Sequence, residues 1–243
     1  MEIITSLNNN KIKDYAKLLD KKYRDNTNLF LVEGEHLVNE AYQSNYLKEI
    51  ICTEKYVNLL PNINKILVTK EVINKLSNTK TPQEIIGIVN KKEDKPIGDK
   101  VLILDNIQDP GNLGTIIRSS VAFNIDTIII SNNTVDIYND KVIRSTQGML
   151  FKINIIRRDL NNIIDELHNN NYIIYGTKVD NGTNIKDITF NNKFAIIMGN
   201  EGNGVSNELL NKCDKYLYIN MNNNCESLNV AVATSIILYE MNR

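Results

Sequence analysis

Residues 101–118 read VLILDNIQDPGNLGTIIR, and this stretch decides the fold class. An uninterrupted apolar run ends at Asp105, Pro110 and Gly111 mark a turn, and apolar residues then recur at helical spacing. The pattern predicts a buried strand, a turn and a helix. A strand that is apolar throughout is typical of a mostly parallel sheet covered on both faces, which is the arrangement of α/β proteins.

The rest of the C-terminal part repeats this alternation of strands and helices. The sequence predicts strands at 101–105, 127–131, 153–156, 172–177, 194–198 and 216–219, and helices at about 112–123, 139–146, 159–169, 204–211 and 227–242. Several strands are again continuous apolar runs. This order predicts one mostly parallel sheet layered with helices.

A charged break, KKEDKPIGDK at residues 91–100, separates this part from the N-terminal part. We therefore expect two domains, residues 1–92 and 93–243. Strand-like runs at 29–32, 49–52, 66–69 and 85–89 alternate with helical patterns, which indicates a small α/β domain in the N-terminal part.

The first predicted helix carries Ile12, Tyr15, Ala16, Leu19 and Tyr23 at helical spacing, and a basic stripe lies on another face of the same helix. The stripe consists of Lys13, Lys17, Lys21 and Arg24. Two interpretations are open: a solvated face, or a surface that contacts RNA phosphates.

Composition excludes several classes of protein. The chain of 243 residues is 42% hydrophobic and 23% charged, with a net charge of −1, so any RNA-binding surface must be a local patch. Cys52, Cys213 and Cys225 are far apart and, with His36 and His168, have no zinc-site spacing. The N-terminal residues lack the apolar segment of a secretory signal, and no apolar run reaches about 20 residues, so we expect neither a signal peptide nor a membrane span. We expect a soluble cytoplasmic protein with reduced thiols, no metal and no membrane partner.

The loop after the first C-terminal strand contains two candidate site residues. Asn112 lies where it could cap the new helix. Arg118 follows about two turns into a helix that is otherwise apolar, where a guanidinium is costly unless it meets an anion. An ordinary structural salt bridge is the alternative.

The loop after the strand FAIIM reads MGNEGNGVS, residues 198–206. Its three glycines allow close approach of a ligand and positive φ angles. Ser206 can cap the following helix, and Glu201 is either a functional carboxylate or a turn residue. The GxxGxG spacing is neither a dinucleotide fingerprint nor a phosphate-binding P-loop.

A third loop and the last helix read INMNNNCESLNVAVA from residue 219. Ser227 and Asn229 stand at the mouth of the helix, where capping is their ordinary role. The helix itself is apolar nearly all round, so we expect it to pack on the sheet and also against a twofold partner subunit. A central helix within a monomer is the alternative.

Together the three loops closely resemble the SpoU (TrmH) family of RNA ribose 2′-O-methyltransferases. Asp105 to Arg118 match its first motif, Gly199, Glu201 and Gly204 its second, and Ser227 to Val230 the end of its third. Residues 142–151, VIRSTQGMLF, resemble the connecting segment. The stretch KYRDNTNLFLVEGEHLVNEA, residues 22–41, is similar to the L30e-like substrate-binding domain found ahead of many such catalytic domains.

The resemblance implies a SPOUT-type α/β domain with a C-terminal trefoil knot, a homodimer packed through the last helix, and S-adenosylmethionine as cofactor. It implies methyl transfer to a ribose 2′-hydroxyl of RNA, and we expect 23S ribosomal RNA to be the substrate. Arg118 would hold the neighbouring phosphate as an orienter and electrostatic stabiliser, because arginine is poorly suited to be a base. The expected catalytic set is Arg118, Asn112, Glu201, Ser227 and Asn229, and the expected cofactor cradle is Thr177, Met198, Gly199, Gly204, Ile219, Met221 and Leu228.

The third motif departs from the family pattern at two positions. Pro and Gly are typical where this chain has Asn220 and Asn223. Asn is the non-glycine residue that best tolerates positive φ, so we expect Asn223 to keep the shape of the loop.

Other readings remain open from sequence. The same reaction could act on tRNA, or the chain could be a non-catalytic RNA-binding protein associated with ribosomes. A dinucleotide-dependent enzyme is disfavoured because neither domain has a glycine fingerprint after its first strand. Nucleophilic catalysis by Cys225 is disfavoured because no motif places a histidine near it.

Overall fold

The computed structural model describes residues 3–242. These residues divide into two compact units. The first unit comprises the described residues up to Glu93 together with Asp136–Phe151, and the second comprises Asp94–Val135 and the described residues from Lys152 onward. The segment Asp136–Phe151 thus packs with the N-terminal elements although it follows the first strands of the C-terminal sheet in the chain.

The regular elements alternate as follows. The helices are α1 (Asn10–Ala16), α2 (Lys21–Thr27), α3 (Glu35–Gln43), α4 (Lys70–Lys75), α5 (Pro110–Ala122), α6 (Asp140–Thr146), α7 (Leu160–Asn169), α8 (Asn207–Leu210) and α9 (Val230–Met241). The strands are β1 (Leu29–Glu33), β2 (Leu47–Cys52), β3 (Lys65–Leu67), β4 (Ile85–Asn90), β5 (Lys100–Leu104), β6 (Thr127–Ile130), β7 (Asn154–Arg157), β8 (Ile173–Thr177), β9 (Thr183–Asn184), β10 (Phe194–Met198) and β11 (Lys215–Tyr218).

The first unit is built on a sheet of order β1-β4-β2-β3. The central strand β4 pairs antiparallel with both β1 and β2, whereas β2 and β3 are parallel. The core on one side gathers apolar side chains from α1, α4 and the strands, among them Ile12, Ile51, Val72, Ile73 and Ile88. This is the small α/β unit that the sequence predicts.

The prediction of a single first helix is wrong. A short 3-10 turn, Lys17–Leu19, separates α1 from α2, and the side chain of Asp20 caps α2 by accepting from the backbone N–H of Lys22. Arg24 turns inward, is only 6% exposed, and forms a 2.7 Å ion pair with Asp136. Arg24 therefore belongs to the interior of the first unit and not to a basic surface stripe.

The second unit contains a sheet of seven strands in the order β7-β6-β5-β10-β8-β11-β9. Every neighbouring pair is parallel. Strands β6 and β10 are buried along their whole length, which confirms the covered α/β sheet indicated by their apolar runs. Strand β9 has two residues and gives too short an apolar signal to be predicted.

Two helices begin later than predicted. The last helix begins at Val230 because Asn229 is its N-cap and accepts from the backbone N–H groups of Ala231 and Val232. Helix α8 is a single turn from Asn207, and Ser206 precedes it at the N-cap position without a side-chain cap bond.

None of the helices within residues 3–242 is long and apolar enough to cross a membrane. Over the same residues, no group of three or more His, Cys, Asp or Glu side chains is placed to hold a metal ion.

Candidate active site

The site lies at the carboxyl edge of the parallel sheet, where β5, β10, β8 and β11 end side by side. Ligands collect at this edge in open α/β sheets. The strand ends are tied together: the N–H of Asp105 donates to the carbonyl of Met198 at 2.9 Å, and Thr177 Oγ1 donates to the carbonyl of Ile197 at 2.8 Å. The three motif loops therefore leave the sheet next to one another.

A cavity of about 590 Å³ opens between these loops, within the size range of small-molecule sites. Its wall combines backbone of the glycine loop with apolar side chains such as Leu217 and Ile237. All seven residues predicted to cradle the cofactor line it: Thr177, Met198, Gly199, Gly204, Ile219, Met221 and Leu228. The cavity is large enough for a nucleoside that carries an amino-acid substituent, and its wall offers apolar side chains beside the polar residues of the glycine loop.

The glycines of the second loop meet two different needs. A Cβ on Gly199 would lie 2.0 Å from the carbonyl carbon of Gly204, so only glycine lets the two arms of the loop touch. Gly204 has a φ of +68°, and a Cβ there would meet nothing within 4 Å. The loop is closed by reciprocal backbone bonds between Asn200 and Gly204 of 2.9 and 3.0 Å.

A chain of three polar side chains joins the three motifs beside the cavity. Asn229 Nδ2 donates to Asn112 Oδ1 at 2.9 Å, and Asn112 Nδ2 donates to Glu201 Oε1 at 3.1 Å. Glu201 also accepts from the backbone N–H groups of Gln108 and Asp109, at 3.3 and 3.1 Å. One residue from each motif is thereby fixed relative to the other two.

Glu201 is held as a carboxylate by these donors. Partial burial raises the pKa of Glu201, but the hydrogen bonds from Asn112 and from the backbone of Asp109 and Gln108 outweigh it. The net effect is a pKa below the ordinary value of 4.5, because hydrogen bonds to the charged form favour it. Glu201 is therefore a hydrogen-bond acceptor at neutral pH and is a poor candidate for a proton donor.

Arg118 lies on α5, one turn and a half beyond Asn112, and its side chain is exposed. Within residues 3–242 it has neither an ion pair nor a hydrogen bond. The guanidinium is therefore not buried, contrary to the expectation from the apolar helix. Within these residues it also does not form the structural salt bridge that was the alternative. Asn112 is not the cap of α5 either, because Asp109 is the N-cap and accepts from the Asn112 N–H at 2.8 Å.

The third loop is shaped differently from the expectation. Asn223 does not have a positive φ, so that prediction is wrong. The turn is instead held by Asn222, whose Oδ1 accepts from the N–H of Asn224 and whose carbonyl accepts from the N–H of Cys225, both at 2.9 Å. Ser227 is exposed and lines the cavity, and Asn229 both caps α9 and reaches Asn112.

Sequence reasoning missed some residues of the cavity wall. Lys178, Val179 and Asp180 line it, as does Asn200. The first three directly follow β8, so their position after a strand of the same sheet is the signal that could have found them. The contacts of Asn200 depend on how two distant loops meet.

Comparison with known proteins agrees with this geometry. The family model described as the SpoU rRNA Methylase family matches residues 99–239, and the model described as the MRM3-like substrate binding domain matches residues 9–87. The chain is similar to the 23S rRNA (guanosine(2553)-2′-O)-methyltransferase RlmP of Bacillus subtilis (strain 168), with 41% identity covering 99% of each chain.

Solved structures give the same answer. An AdoMet-bound rRNA methyltransferase from Sinorhizobium meliloti superposes with a TM-score of 0.88 at 28% identity, over 99% of this chain and 97% of that one. A structure described as an RNA 2′-O ribose methyltransferase superposes with a TM-score of 0.83 at 26% identity, over 99% and 98%. The predicted α/β fold with its parallel sheet, the cofactor and the enzyme class are confirmed: this chain belongs to the SpoU rRNA Methylase family and is an S-adenosylmethionine-dependent RNA 2′-O-ribose methyltransferase.

Proposed function

We propose that this enzyme methylates the 2′-hydroxyl of a guanosine in 23S ribosomal RNA. The nucleotide is suggested by the activity for which the Bacillus subtilis relative is named, since this chain shares 41% identity with that protein along nearly its whole length. The observation that carries the assignment of the site is the Asn229–Asn112–Glu201 chain, which joins the three motif loops beside the cavity.

The chemical difficulty lies in the ribose hydroxyl. S-adenosylmethionine supplies an electrophilic methyl group on a good leaving group, whereas a 2′-hydroxyl is a weak nucleophile until it loses its proton. The protein must therefore align the hydroxyl and help the proton to leave. In this proposal the guanidinium of Arg118, which is unpaired among the described residues, binds the phosphate beside the target ribose and stabilises the charge that develops on the oxygen, while the proton of the hydroxyl passes to that phosphate or to water.

Arg118 is suited to this role by what surrounds it. Its exposed side chain has no competing anion within the described residues, so an RNA phosphate can form bidentate hydrogen bonds with it. Asn112, Glu201 and Asn229 hold the first turn of α5 in place, and Ser227 is exposed at the edge of the cavity, where it can bond to the ribose.

The remaining roles follow the domain organisation. We propose that residues 1–92 bind the RNA substrate, which is supported by the match of residues 9–87 to the MRM3-like substrate binding domain. Residues 93–243 would form the catalytic domain, with the trefoil knot of its family. An enzyme that modifies ribosomal RNA acts in the cytoplasm, and we propose that location.

We further propose that the enzyme is a homodimer packed through α9. The helix packs on α5, where Ser119 and Ser235 share a 2.7 Å hydrogen bond, yet it leaves Val232 48% and Tyr239 61% exposed. Large apolar side chains exposed on one helix are typical of an interface between subunits.

The test is methyl transfer by the purified protein to 23S rRNA transcribed without modifications, followed by digestion to nucleosides and mass spectrometry. The proposal predicts 2′-O-methylguanosine from one position, and its loss in Arg118→Ala. Methylation of a base, or of tRNA with no methylation of 23S rRNA, would contradict it.

A further inference from the structure

Asn200 precedes Glu201 in the second motif loop, and its side chain forms hydrogen bonds both within this loop and to the first motif. Its Nδ2 donates to the carbonyl of Asn106 at 2.8 Å, and its Oδ1 accepts from the N–H groups of Gly202 and Asn203 at 2.9 and 3.2 Å. One side chain thus holds its own loop in shape and ties that loop to the first motif.

Asn106, whose carbonyl accepts the hydrogen bond from Asn200, is itself held in place by other contacts. Asn106 has a φ of +62°, and its N–H donates to Ser131 Oγ at 2.9 Å. Gln108, two residues on, donates from its side chain to Asn106 Oδ1 at 2.6 Å and from its backbone N–H to Glu201. The bond from Asn200 to Asn106 therefore locks the loop that carries Glu201 to the segment that supplies its donors.

The geometry points to Asn200 as a positioning residue for methyl transfer, acting through Glu201. Without the Asn200–Asn106 bond, the second loop would keep its turn but would no longer be held against the first motif. The hydrogen bonds of the Glu201–Asn112–Asn229 chain would then lose their geometry. Because that chain sets α5 and Arg118, the transfer step should suffer more than cofactor binding. This inference rests on the proposed role of Glu201.

Aspartate at position 200 would meet one of these two demands and fail the other. Aspartate keeps an acceptor for the Gly202 and Asn203 N–H groups but has no donor for Asn106 when ionised. It also places a second carboxylate beside Glu201, whose Oε2 is 3.4 Å from Asn200 Nδ2. Asn200→Asp therefore removes the tie between loops while it preserves the turn within the loop.

The experiment compares Asn200→Asp, Glu201→Gln and the double variant in single-turnover methylation of 23S rRNA, with cofactor affinity measured separately by calorimetry. For Asn200→Asp we expect the rate to fall roughly 10- to 100-fold while Kd for S-adenosylmethionine changes less than about threefold. In the Glu201→Gln background the same substitution should lower the rate by less than about threefold, because both changes act on one network.

Asn192→Asp is the matched control, since it adds the same charge at an exposed position before β10, at the opposite end of that strand. It should leave the rate unchanged. The inference would be overturned if Asn200→Asp lowered the methylation rate by the same factor in the wild-type and Glu201→Gln proteins. A methylation rate of Asn200→Asp near that of the wild type would also overturn it. Glu201→Gln at full rate would instead remove the proposed role of Glu201 itself, so the two failures are distinguishable.

Discussion

Asn112 donates its side-chain amide to Glu201 across a separation of 89 residues in sequence, at 3.1 Å. This contact connects the helix that carries Arg118 to the glycine loop of the cofactor cavity. Because Asn229 joins the same chain from the third motif, the three motifs form one hydrogen-bonded unit at the carboxyl edge of the sheet. We therefore propose that the cavity holds the cofactor and that the hydrogen-bonded side chains of Asn229, Asn112 and Glu201 set the position of Arg118.

Replacing Arg118 with alanine should greatly lower the rate of methyl transfer without disturbing the fold. We expect the transfer rate to fall about 100- to 1000-fold, as when a group that stabilises developing charge is lost. The free energy of unfolding should change by less than about 0.5 kcal/mol because the side chain is exposed and unpaired among the described residues. Single-turnover assays and thermal unfolding measure the two effects.

Arg158→Ala serves as the control for Arg118, because Arg158 is another exposed arginine of the second unit. Within the described residues its side chain pairs with the exposed Asp94 and donates to the carbonyl of Arg157, both at 2.8 Å. Its activity should stay near wild type. Equal losses in the two variants would show that general positive charge, and not the position of Arg118, supports the reaction.

The stability that Glu201 contributes should depend on pH. Its pKa is lowered in the folded protein, so the ionised form stabilises the fold above the ordinary value of 4.5, and this contribution is lost as the pH falls through the lowered pKa. Glu201→Gln removes the charge at all pH values. The difference in unfolding free energy between wild type and Glu201→Gln should therefore shrink below about pH 4.5 in urea titrations. A difference that is the same at pH 7 and pH 3.5 would contradict the assignment.

Alanine substitutions at two glycines of the same loop should differ strongly in their effect on stability. Gly199→Ala places a Cβ 2.0 Å from backbone and should cost about 3 kcal/mol or prevent folding of the loop. Gly202→Ala meets only Asn200 Oδ1 at 3.6 Å and has no positive φ, so its stability should change by less than about 1 kcal/mol. Thermal unfolding of the two variants tests the close approach, and comparable melting temperatures would argue against it.

Arg24 should contribute to stability and not to RNA affinity. It pairs with the partly buried Asp136 and also donates to the carbonyls of Leu18 and Leu19, so Arg24→Ala removes the ion pair of this carboxylate and the side-chain donor of two carbonyls. The expected cost is about 3 to 5 kcal/mol. Lys13→Ala, in the exposed part of α1, should cost almost nothing. An Arg24→Ala variant that is fully stable but binds RNA weakly would reverse this conclusion.

The proposed homodimer predicts that a charge on the exposed side of α9 separates the subunits. Tyr239→Asp should shift the mass measured by light scattering from two chains to one, because it places a carboxylate in an apolar interface. Asn192→Asp should leave the mass unchanged. A wild-type protein that is already monomeric at micromolar concentration would refute the proposal.

The sequence predicted most of the second unit because its strands are uninterrupted apolar runs and each is followed by a turn signal. The resemblance of the three motifs to the SpoU family pointed to the residues of the Glu201–Asn112–Asn229 chain, although each motif alone left a capping or turn role open. The sequence could not place Arg24, because burial of that side chain depends on Asp136, which lies 112 residues away. Asn200 was missed for the same reason, since its partner Asn106 is 94 residues away.

The shape of the third loop shows a further limit of sequence reasoning. Asn223 was expected to take a positive φ because it replaces a glycine, but the hydrogen bonds of Asn222 close the turn without it. A side chain that bonds to its own backbone can replace a special φ angle. Such a local competition between two turn types cannot be decided from residue identities alone.

Mapping 2′-O-methylated nucleotides in total RNA from cells with and without this gene would identify the RNA and the nucleotide that the enzyme methylates. We expect that one methylated guanosine of 23S rRNA disappears without the gene, that it returns with the wild-type gene, and that it does not return with Arg118→Ala. Loss of a methylated position in tRNA with 23S rRNA unchanged, or full restoration by Arg118→Ala, would contradict this expectation.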